Sequence, residues 1–134
     1  MTTRRSFLTT STAAAAAMAA PAVLPAADSK KVTVGVIGPG GMGMYHIREL
    51  SKRSDVEIAW VCDVDRNRLA TAASHVESAT KKKPQTTGDL RKVLDDSKVD
   101  AVFIATPDHW HAPATILALD AGKHVYVEKP CCHN

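Results

Sequence analysis

A glycine-rich turn is the segment of this sequence whose residue spacing most clearly predicts chemistry. It reads G-P-G-G-M-G, and it follows an apolar run and precedes an amphipathic stretch. In that setting Gly38 would make a tight turn, Gly40 would let a pyrophosphate approach the backbone, and Gly43 would let helix and strand pack closely. The unpaired N–H groups at the helix start would bind the diphosphate. We therefore predict a dinucleotide-binding loop with Gly41 and Met42 among its cofactor contacts; a strand-to-helix turn without a ligand is the alternative.

An acidic residue, Asp63, closes the next predicted strand 20 residues after Gly43. At that spacing a carboxylate can accept hydrogen bonds from the ribose hydroxyls of a dinucleotide. A 2′-phosphate would instead be repelled, by an energy on the order of 4 kcal/mol at about 4 Å and an effective dielectric of about 20. We therefore predict NAD as the cofactor, while NADP stays possible because Arg66 and Arg68 could offset the repulsion. A solvated loop position is the alternative for Asp63, and Asp65 is predicted to cap the following helix.

Two further polar segments follow predicted strands: A-T-P-D-H-W-H over 105–111 and E-K-P over 128–130. Open α/β sheets bind ligands at the carboxyl ends of parallel strands, so both segments are expected beside the cofactor. Lys129 could there orient a substrate hydroxyl, stabilise a developing alkoxide or relay its proton. An exposed lysine after an edge strand is the alternative. His109 and His111 do not predict a metal site, because residues two apart on a helix point away from one another and no third ligand completes the set.

The elements that must position these residues follow from alternating β-branched runs and amphipathic stretches. This pattern predicts an α/β fold, a doubly wound parallel sheet of Rossmann type. Strands are predicted over 32–37, 56–62, 85–87, 101–105 and 124–127, and helices over 41–51, after Asp65, around 90–94 and over 109–121. A complete dinucleotide domain would have a sixth strand, so this domain, of about five strands, is expected to be incomplete.

The sheet-facing side of each helix is predicted from the i, i+3, i+4, i+7 spacing of its small and apolar residues. In the first helix this stripe includes His46, which could touch the cofactor or be a hydrogen-bonded packing residue. In the last helix the inward residues are predicted to be Ala112, Thr115, Ile116 and Leu119, with Gly122 ending the helix.

Composition limits the partners of the chain. Its 134 residues allow one domain. The 17 Lys+Arg against 14 Asp+Glu leave a net charge of +3, and the basic residues are scattered, so nucleic acid is not predicted as a partner. Three cysteines cannot build a disulfide scaffold, and no C-x-x-C or H-x-x-x-H spacing predicts a structural metal.

Residues 1–27 are predicted to be a twin-arginine export signal. Arg4 and Arg5 precede an uncharged stretch rich in Ala and Thr, followed by an A-x-A match at Ala20 to Ala22. The stretch is short of the roughly 20 apolar residues that span a bilayer, so no stable membrane span is predicted. The folded domain is then 30–134, and its expected location is the periplasm. A basic tail, disordered or weakly helical, is the alternative.

Three segments taken in order resemble the Gfo/Idh/MocA family of dinucleotide-dependent oxidoreductases: V-G-V-I-G-P-G-G-M-G-M-Y-H, A-T-P-D-H-W-H and A-G-K-H-V-Y-V-E-K-P. The resemblance covers residues 31–130. It implies a diphosphate loop, an acidic ribose contact, a T-P-x-x-x-H turn along the cofactor, and an E-K-P motif whose lysine lies beside nicotinamide and substrate hydroxyl. The diphosphate loop corresponds to Gly38, Gly40 and Gly43, and the acidic ribose contact corresponds to Asp63. The T-P-x-x-x-H turn corresponds to Thr106, Pro107 and His111. The E-K-P motif corresponds to Glu128 and the catalytic Lys129. The X-Pro bond of the E-K-P motif is often cis.

The function that this resemblance implies is NAD(P)-dependent hydride transfer between a nicotinamide cofactor and a sugar, polyol or related hydroxyl compound. Two alternatives stay open: a dinucleotide-binding module without redox turnover, and an NAD-dependent glycosidase of the same family. That glycosidase branch departs from the E-K-P lysine, so Lys129 counts against it. Family members carry a second α/β domain that forms the substrate wall and commonly builds the oligomer. We therefore expect the chain to be the front portion of a larger enzyme, inactive alone and a homo-oligomer only at full length.

Overall fold

The computed structural model describes residues 30–132, which form a five-stranded parallel sheet with helices on both faces. The predicted Rossmann-type α/β class is confirmed. The strands are β1 Val32–Ile37, β2 Val56–Cys62, β3 Gln85–Thr87, β4 Ala101–Ile104 and β5 His124–Val127. The helices are α1 Gly41–Ser51, α2 Arg66–Thr80, α3 Leu90–Leu94 and α4 His111–Asp120, the last preceded by a 3₁₀ turn at Asp108–Trp110. The predicted export signal, residues 1–27, lies outside the described residues.

The strand order places the carboxyl ends of β1 and β4 side by side at the centre of the sheet. The order is β3-β2-β1-β4-β5, so the chain runs outward from β1 to β3 and then returns to the other side of β1. Connections that leave β1 and β4 therefore turn to opposite faces of the sheet, which opens a crevice between them. Ile37 pairs with Ile104 at this point. The glycine-rich segment begins just beyond Ile37, and the T-P segment begins just beyond Ile104.

Two apolar clusters cover the two faces of the sheet. Helices α1 and α2 pack on one face, where the buried residues are Val34, Val36, Ile47, Ile58, Val61, Ala72 and Val76. Helices α3 and α4 pack on the other, where they include Ile37, Cys62, Val93, Leu94, Val102, Ile104, Ala114 and Ala118. Strand β1 contributes to both clusters, which explains why its sequence is apolar almost without interruption.

Helix ends follow the predicted local chemistry. Asp65 caps α2 as predicted, because its Oδ1 accepts hydrogen bonds from the backbone N–H groups of Asn67, at 2.8 Å, and Arg68, at 3.3 Å. Gly122 follows α4 with a φ of 71°, and the Lys123 N–H donates to the Ala118 carbonyl at 2.9 Å. This pattern closes the helix and turns the chain into β5.

The prediction of which residues of the last helix, α4, face the sheet is wrong. The buried residues of α4 are His111, Ala114 and Ala118, whereas Ile116 is 59% exposed and Leu119 58% exposed. Ala112 and Thr115, the other two residues of the predicted stripe, are half-buried. The helix carries apolar residues on nearly every side, so periodicity does not select a face. Packing selects the alanines, because small side chains let the helix approach the sheet closely.

Within residues 30–132, no helix is long and apolar enough to cross a membrane.

Candidate functional site

The glycine-rich loop is held in a conformation that only glycine adopts without strain. Gly38 has a φ of 82°, and a Cβ placed on it would lie 2.7 Å from the backbone nitrogen of Thr106. Its N–H donates to the Cys62 carbonyl at 2.8 Å. The loop after β1 is therefore wedged between the ends of β2 and β4.

Gly43 lets the first turn of α1 rest directly on that loop. A Cβ at Gly43 would overlap the carbonyl oxygen of Gly38 and would lie 3.6 Å from the Cβ of Ala105. The predicted close packing at Gly43 is thus present, and its partner is the loop itself as well as the β4 end.

The start of α1 faces outward. Gly40 is the N-cap residue and contributes no side-chain cap, and its carbonyl accepts the first helical hydrogen bond, from the Met44 N–H at 2.8 Å. A Cβ on Gly41 would have no neighbour within 4 Å, and Met42 is 52% exposed. The N–H groups of this first turn have no helical partner, which makes the turn suitable for binding an anion.

A cavity of about 680 Å³ runs along the carboxyl edge of the sheet, a volume suited to an organic ligand. It brings together five of the predicted cofactor residues: Gly38, Gly40, Asp63, Thr106 and Pro107. The geometry therefore joins segments that are far apart in sequence.

Asp63 has an oxygen available for a ligand. Its Oδ1 accepts a hydrogen bond from the Asp65 N–H at 2.8 Å, and Oδ2 has no hydrogen-bond partner among residues 30–132. Arg68 lines the same cavity, with Nη1 3.7 Å from the position that a Cβ on Gly40 would occupy. Of the two arginines considered above, Arg68 is the one that reaches the cavity wall.

The floor of this cavity includes a cysteine that stays protonated. Burial, and after it the charges of Asp63 and Asp89, raises the pKa of the Cys62 thiol to about 12. Cys62 is therefore a packing residue of β2 and not a nucleophile.

Thr106 lines the cavity and carries a hydroxyl that a polar ligand could bind. Its Oγ1 is buried and has no hydrogen-bond partner within the described part of the chain. A buried hydroxyl without a partner is costly, and a polar group of a ligand in the cavity would satisfy it. The glycines, Asp63 and Thr106 thus fit a dinucleotide: backbone N–H groups for the diphosphate, a carboxylate for ribose and a hydroxyl in the wall.

The E-K-P segment follows β5 at the same edge. The Glu128 N–H donates to the Ile104 carbonyl at 2.9 Å, and the Lys129–Pro130 peptide bond is cis. The Glu128 carboxylate lies 2.6 Å from Nε2 of His46, and this hydrogen bond is the largest cause that lowers the pKa of Glu128. Glu128 therefore contacts α1 through its side chain, while Lys129 is exposed at the strand end.

His111 has no ring nitrogen left for a ligand. It is 1% exposed, and its Nδ1 and Nε2 lie 2.6 Å from the Pro130 carbonyl and 2.8 Å from the Thr106 carbonyl. His111 does not line the cavity, so any contribution it makes to cofactor binding is indirect. Among the described residues, no group of three or more His, Cys, Asp or Glu side chains is arranged to hold a metal.

Sequence reasoning missed one wall of the cavity. Gly88, Asp89, Leu90 and Arg91 line it, together with Leu117, whereas Trp110, which also lines it, belongs to the segment 105–111 that was expected there. A usable signal existed for residues 88–91, because they follow a predicted strand and therefore lie at its carboxyl end. Leu117, within the last helix, carried no such signal.

A parallel sheet with a glycine-rich loop at its switch point and a cavity along its carboxyl edge defines a dinucleotide-binding domain of Rossmann type. Residues 32–134 match the Gfo/Idh/MocA oxidoreductase family in its NAD-binding Rossmann fold. The chain belongs to this family, and the prediction of NAD as its cofactor is confirmed.

Known relatives are much longer than this chain. A glycosyl hydrolase family 109 protein of Stenotrophomonas maltophilia is 37% identical over 131 residues, which are 93% of this chain and 29% of that protein. An NAD-binding protein from Listeria innocua is 38% identical with a TM-score of 0.66, over 77% of this chain and 28% of that one. The myo-inositol dehydrogenase of Lactobacillus casei, in complex with NAD(H) and myo-inositol, is 32% identical with a TM-score of 0.66, over 76% of this chain and 29% of that one. The chain thus spans less than a third of the length of each.

Proposed function

We propose that the protein is an NAD-dependent oxidoreductase that acts on a hydroxyl group of a sugar, polyol or related compound. The observation that carries the proposal is the position of Lys129, directly after β5 and on the sheet edge that also bears the glycine loop and Thr106. A cation after a strand at the edge where open α/β sheets bind ligands supports a role on the group that reacts with the cofactor.

The chain's own residues divide the work of binding. The N–H groups of Gly41, Met42 and Gly43 at the start of α1 hold the diphosphate, and Asp63 accepts hydrogen bonds from the ribose hydroxyls. Thr106 and Pro107 form the wall along the bound dinucleotide. When bound, NAD supplies a nicotinamide ring that accepts a hydride.

Lys129 handles the proton of the substrate hydroxyl. Its amino group orients the hydroxyl, stabilises negative charge that develops on the oxygen and relays the proton to solvent. Glu128 supports it from the preceding position. Exposure of Lys129 at the end of the strand leaves the amino group accessible to a substrate.

The substrate class is supported by the inositol dehydrogenase described above, whose bound ligand is a polyol. The rest of the substrate wall and any homo-oligomer contact belong, in this proposal, to a further domain of the full-length protein. The chain of 134 residues is then expected to bind NAD weakly and to turn nothing over.

The proposal is tested by following NADH formation by the full-length protein over a panel of sugars and polyols. Lys129→Met is expected to lower kcat about 100-fold or more, as is typical when a positioned proton-transfer group is removed. Lys83→Met is the matched control, because Lys83 is an exposed lysine in the turn before β3. Unchanged kcat in Lys129→Met contradicts the assigned role, and NAD binding without NADH formation favours a binding module.

An NAD-dependent glycosidase is a second candidate, because the relative from Stenotrophomonas maltophilia carries a glycosyl hydrolase name. Lys129 counts against it, as the resemblance implies. The two are separated by one measurement with aryl glycosides: a glycosidase releases the aryl group with no net gain of NADH, whereas the oxidoreductase accumulates NADH and releases none.

We also propose that residues 1–27 direct twin-arginine export to the periplasm. The paired arginines and the small residues that follow support this. A reporter fused to residues 1–29 is expected outside the cytoplasmic membrane, and replacement of Arg4 and Arg5 by lysine is expected to retain it inside. Equal export of both fusions contradicts the proposal.

A further inference from the structure

Two histidines hold the segment around Lys129 from opposite faces of the sheet. His46 lies on α1, which packs on one face, and His111 lies on α4, which packs on the other. We propose that His46 and His111 are positioning residues that clamp Glu128 and Pro130 and thereby fix the backbone of Lys129. The inference rests on the proposed function only in giving Lys129 a role on substrate; the clamp itself is a property of this chain.

The clamp is needed because the strand ladder stops short of Lys129. The last paired residues of β4 and β5 are Ile104 and Val127, and the last backbone hydrogen bond runs from the Glu128 N–H to the Ile104 carbonyl at 2.9 Å. Beyond that bond the ladder no longer fixes the chain, so the hydrogen bonds of the two histidine rings take over.

His46 provides the first arm. Its Nε2 lies 2.6 Å from Oε1 of Glu128, and both side chains are 12% exposed. The ring packs against Phe103 and Tyr126, with centroid distances of 5.6 Å and 5.1 Å, and those two rings stack on one another at 5.1 Å. These aromatic contacts fix the ring plane, and the hydrogen bond fixes the Glu128 carboxylate.

His111 provides the second arm. Its two nitrogens lie within hydrogen-bond distance of the Pro130 and Thr106 carbonyl oxygens. Both carbonyl oxygens only accept, so a hydrogen bond to either one forms through a ring nitrogen that carries an N–H. The ring thereby ties the E-K-P segment to the T-P turn, which forms the cavity wall.

The clamp acts by fixing the position of the Lys129 backbone. The side chain of Lys129 is long and exposed, so the precision of its amino group depends on the position of its own backbone. A displacement of about 1 Å at a reacting group can cost about 100-fold in rate. Loss of either arm would therefore affect kcat more than the binding of NAD.

The first experiment measures amide hydrogen exchange of Glu128 by NMR in the 134-residue chain, which needs neither cofactor nor substrate. His46→Leu and His111→Leu remove the donors and are expected to speed exchange about tenfold or more, because the end of the ladder opens more often. His46→Gln and His111→Gln keep an N–H donor and are expected to restore slow exchange. His124→Leu, an exposed position on β5, is the matched control and leaves the rate unchanged. Equal exchange in the leucine variants and the unsubstituted chain overturns the clamp.

The unsubstituted chain gives a second measurement if a leucine variant does not fold. The clamp requires a slowly exchanging ring N–H proton on Nε2 of His46 and another on a ring nitrogen of His111. Ring protons that exchange at the rate of an exposed histidine overturn the proposal.

In the full-length enzyme, the leucine variants are expected to lower kcat about 10- to 100-fold, as for other supporting residues, with a smaller change in the Kd of NAD. The double variant should lose less than the product of the two single losses, since both arms hold one segment. An equal loss in kcat and in NAD affinity overturns the positioning role. If Lys129→Met is fully active, the proposed function is wrong. The hydrogen-exchange rates of Glu128 still test whether the two histidines clamp the segment.

Discussion

The α-carbon of Gly43 lies so close to the carbonyl oxygen of Gly38 that a Cβ at position 43 would overlap it. We expect Gly43→Ala to lower the free energy of unfolding by about 1–3 kcal/mol, because the added methyl group forces the loop and α1 apart. Urea or thermal unfolding of the chain measures this change.

Gly41→Ala is the matched control for that substitution. It reduces the entropy of the unfolded chain in the same way, and nothing lies within 4 Å of the new Cβ. The free energy of unfolding of the Gly41→Ala variant is expected to stay within about 0.5 kcal/mol of that of the unsubstituted chain, as for an unconstrained surface position. Equal effects of the two substitutions would show that α1 does not rest on the loop as described.

Asp63 is expected to make the domain select NAD over NADP. Asp63→Asn removes the charge that repels a 2′-phosphate. We expect the Kd of NADP divided by the Kd of NAD to fall at least about tenfold, equivalent to about 1.4 kcal/mol. Titrations with both dinucleotides measure the ratio.

Asp65→Asn controls for loss of charge near the same site. Asn caps a helix about as well as Asp, so α2 is retained while one negative charge is removed two residues away. An equal fall in the ratio for both variants would argue against a direct contact between Asp63 and the ribose.

The three cysteines are expected to differ in reactivity. Cys62 is buried, with its thiol pKa raised to about 12, whereas Cys131 and Cys132 are exposed. Because the thiolate is the reactive form, iodoacetamide at mildly alkaline pH should label two cysteines in the folded chain and three in denaturant. Peptide mass mapping locates the labels. Rapid labelling of Cys62 in the folded chain would contradict its burial.

The contact between His46 and Glu128 predicts how stability changes in acid. It lowers the pKa of Glu128 below its ordinary value of 4.5, so the unfolded chain binds the proton more readily than the folded one. The stabilisation by this carboxylate is therefore complete well above pH 4.5 and is lost as the pH falls through the lowered pKa of the folded state. Comparison of unfolding midpoints for the chain and Glu128→Gln across this range should show a difference that shrinks with acidity. A difference independent of pH would contradict the assignment.

Local features of the sequence were sufficient to predict the glycine loop, the five strands and the cap at Asp65. Each depends on residues close together in the chain: the positive φ at Gly38, the apolar runs of the strands, and a side chain that reaches backbone groups two and three residues ahead. Such signals are legible in sequence because the interacting groups are neighbours. The T-P and E-K-P segments were assigned to the site from their order and resemblance.

The tertiary structure decided which distant groups meet. The tertiary structure places residues 88–91 and Leu117 in the cavity wall, and packing turned the alanines of α4 inward in place of Ile116 and Leu119. His46 and Glu128 are 82 positions apart, and no local pattern relates them. Sequence periodicity indicates that a residue is buried, but the identity of its partner depends on how whole elements pack, and only the folded chain contains that information.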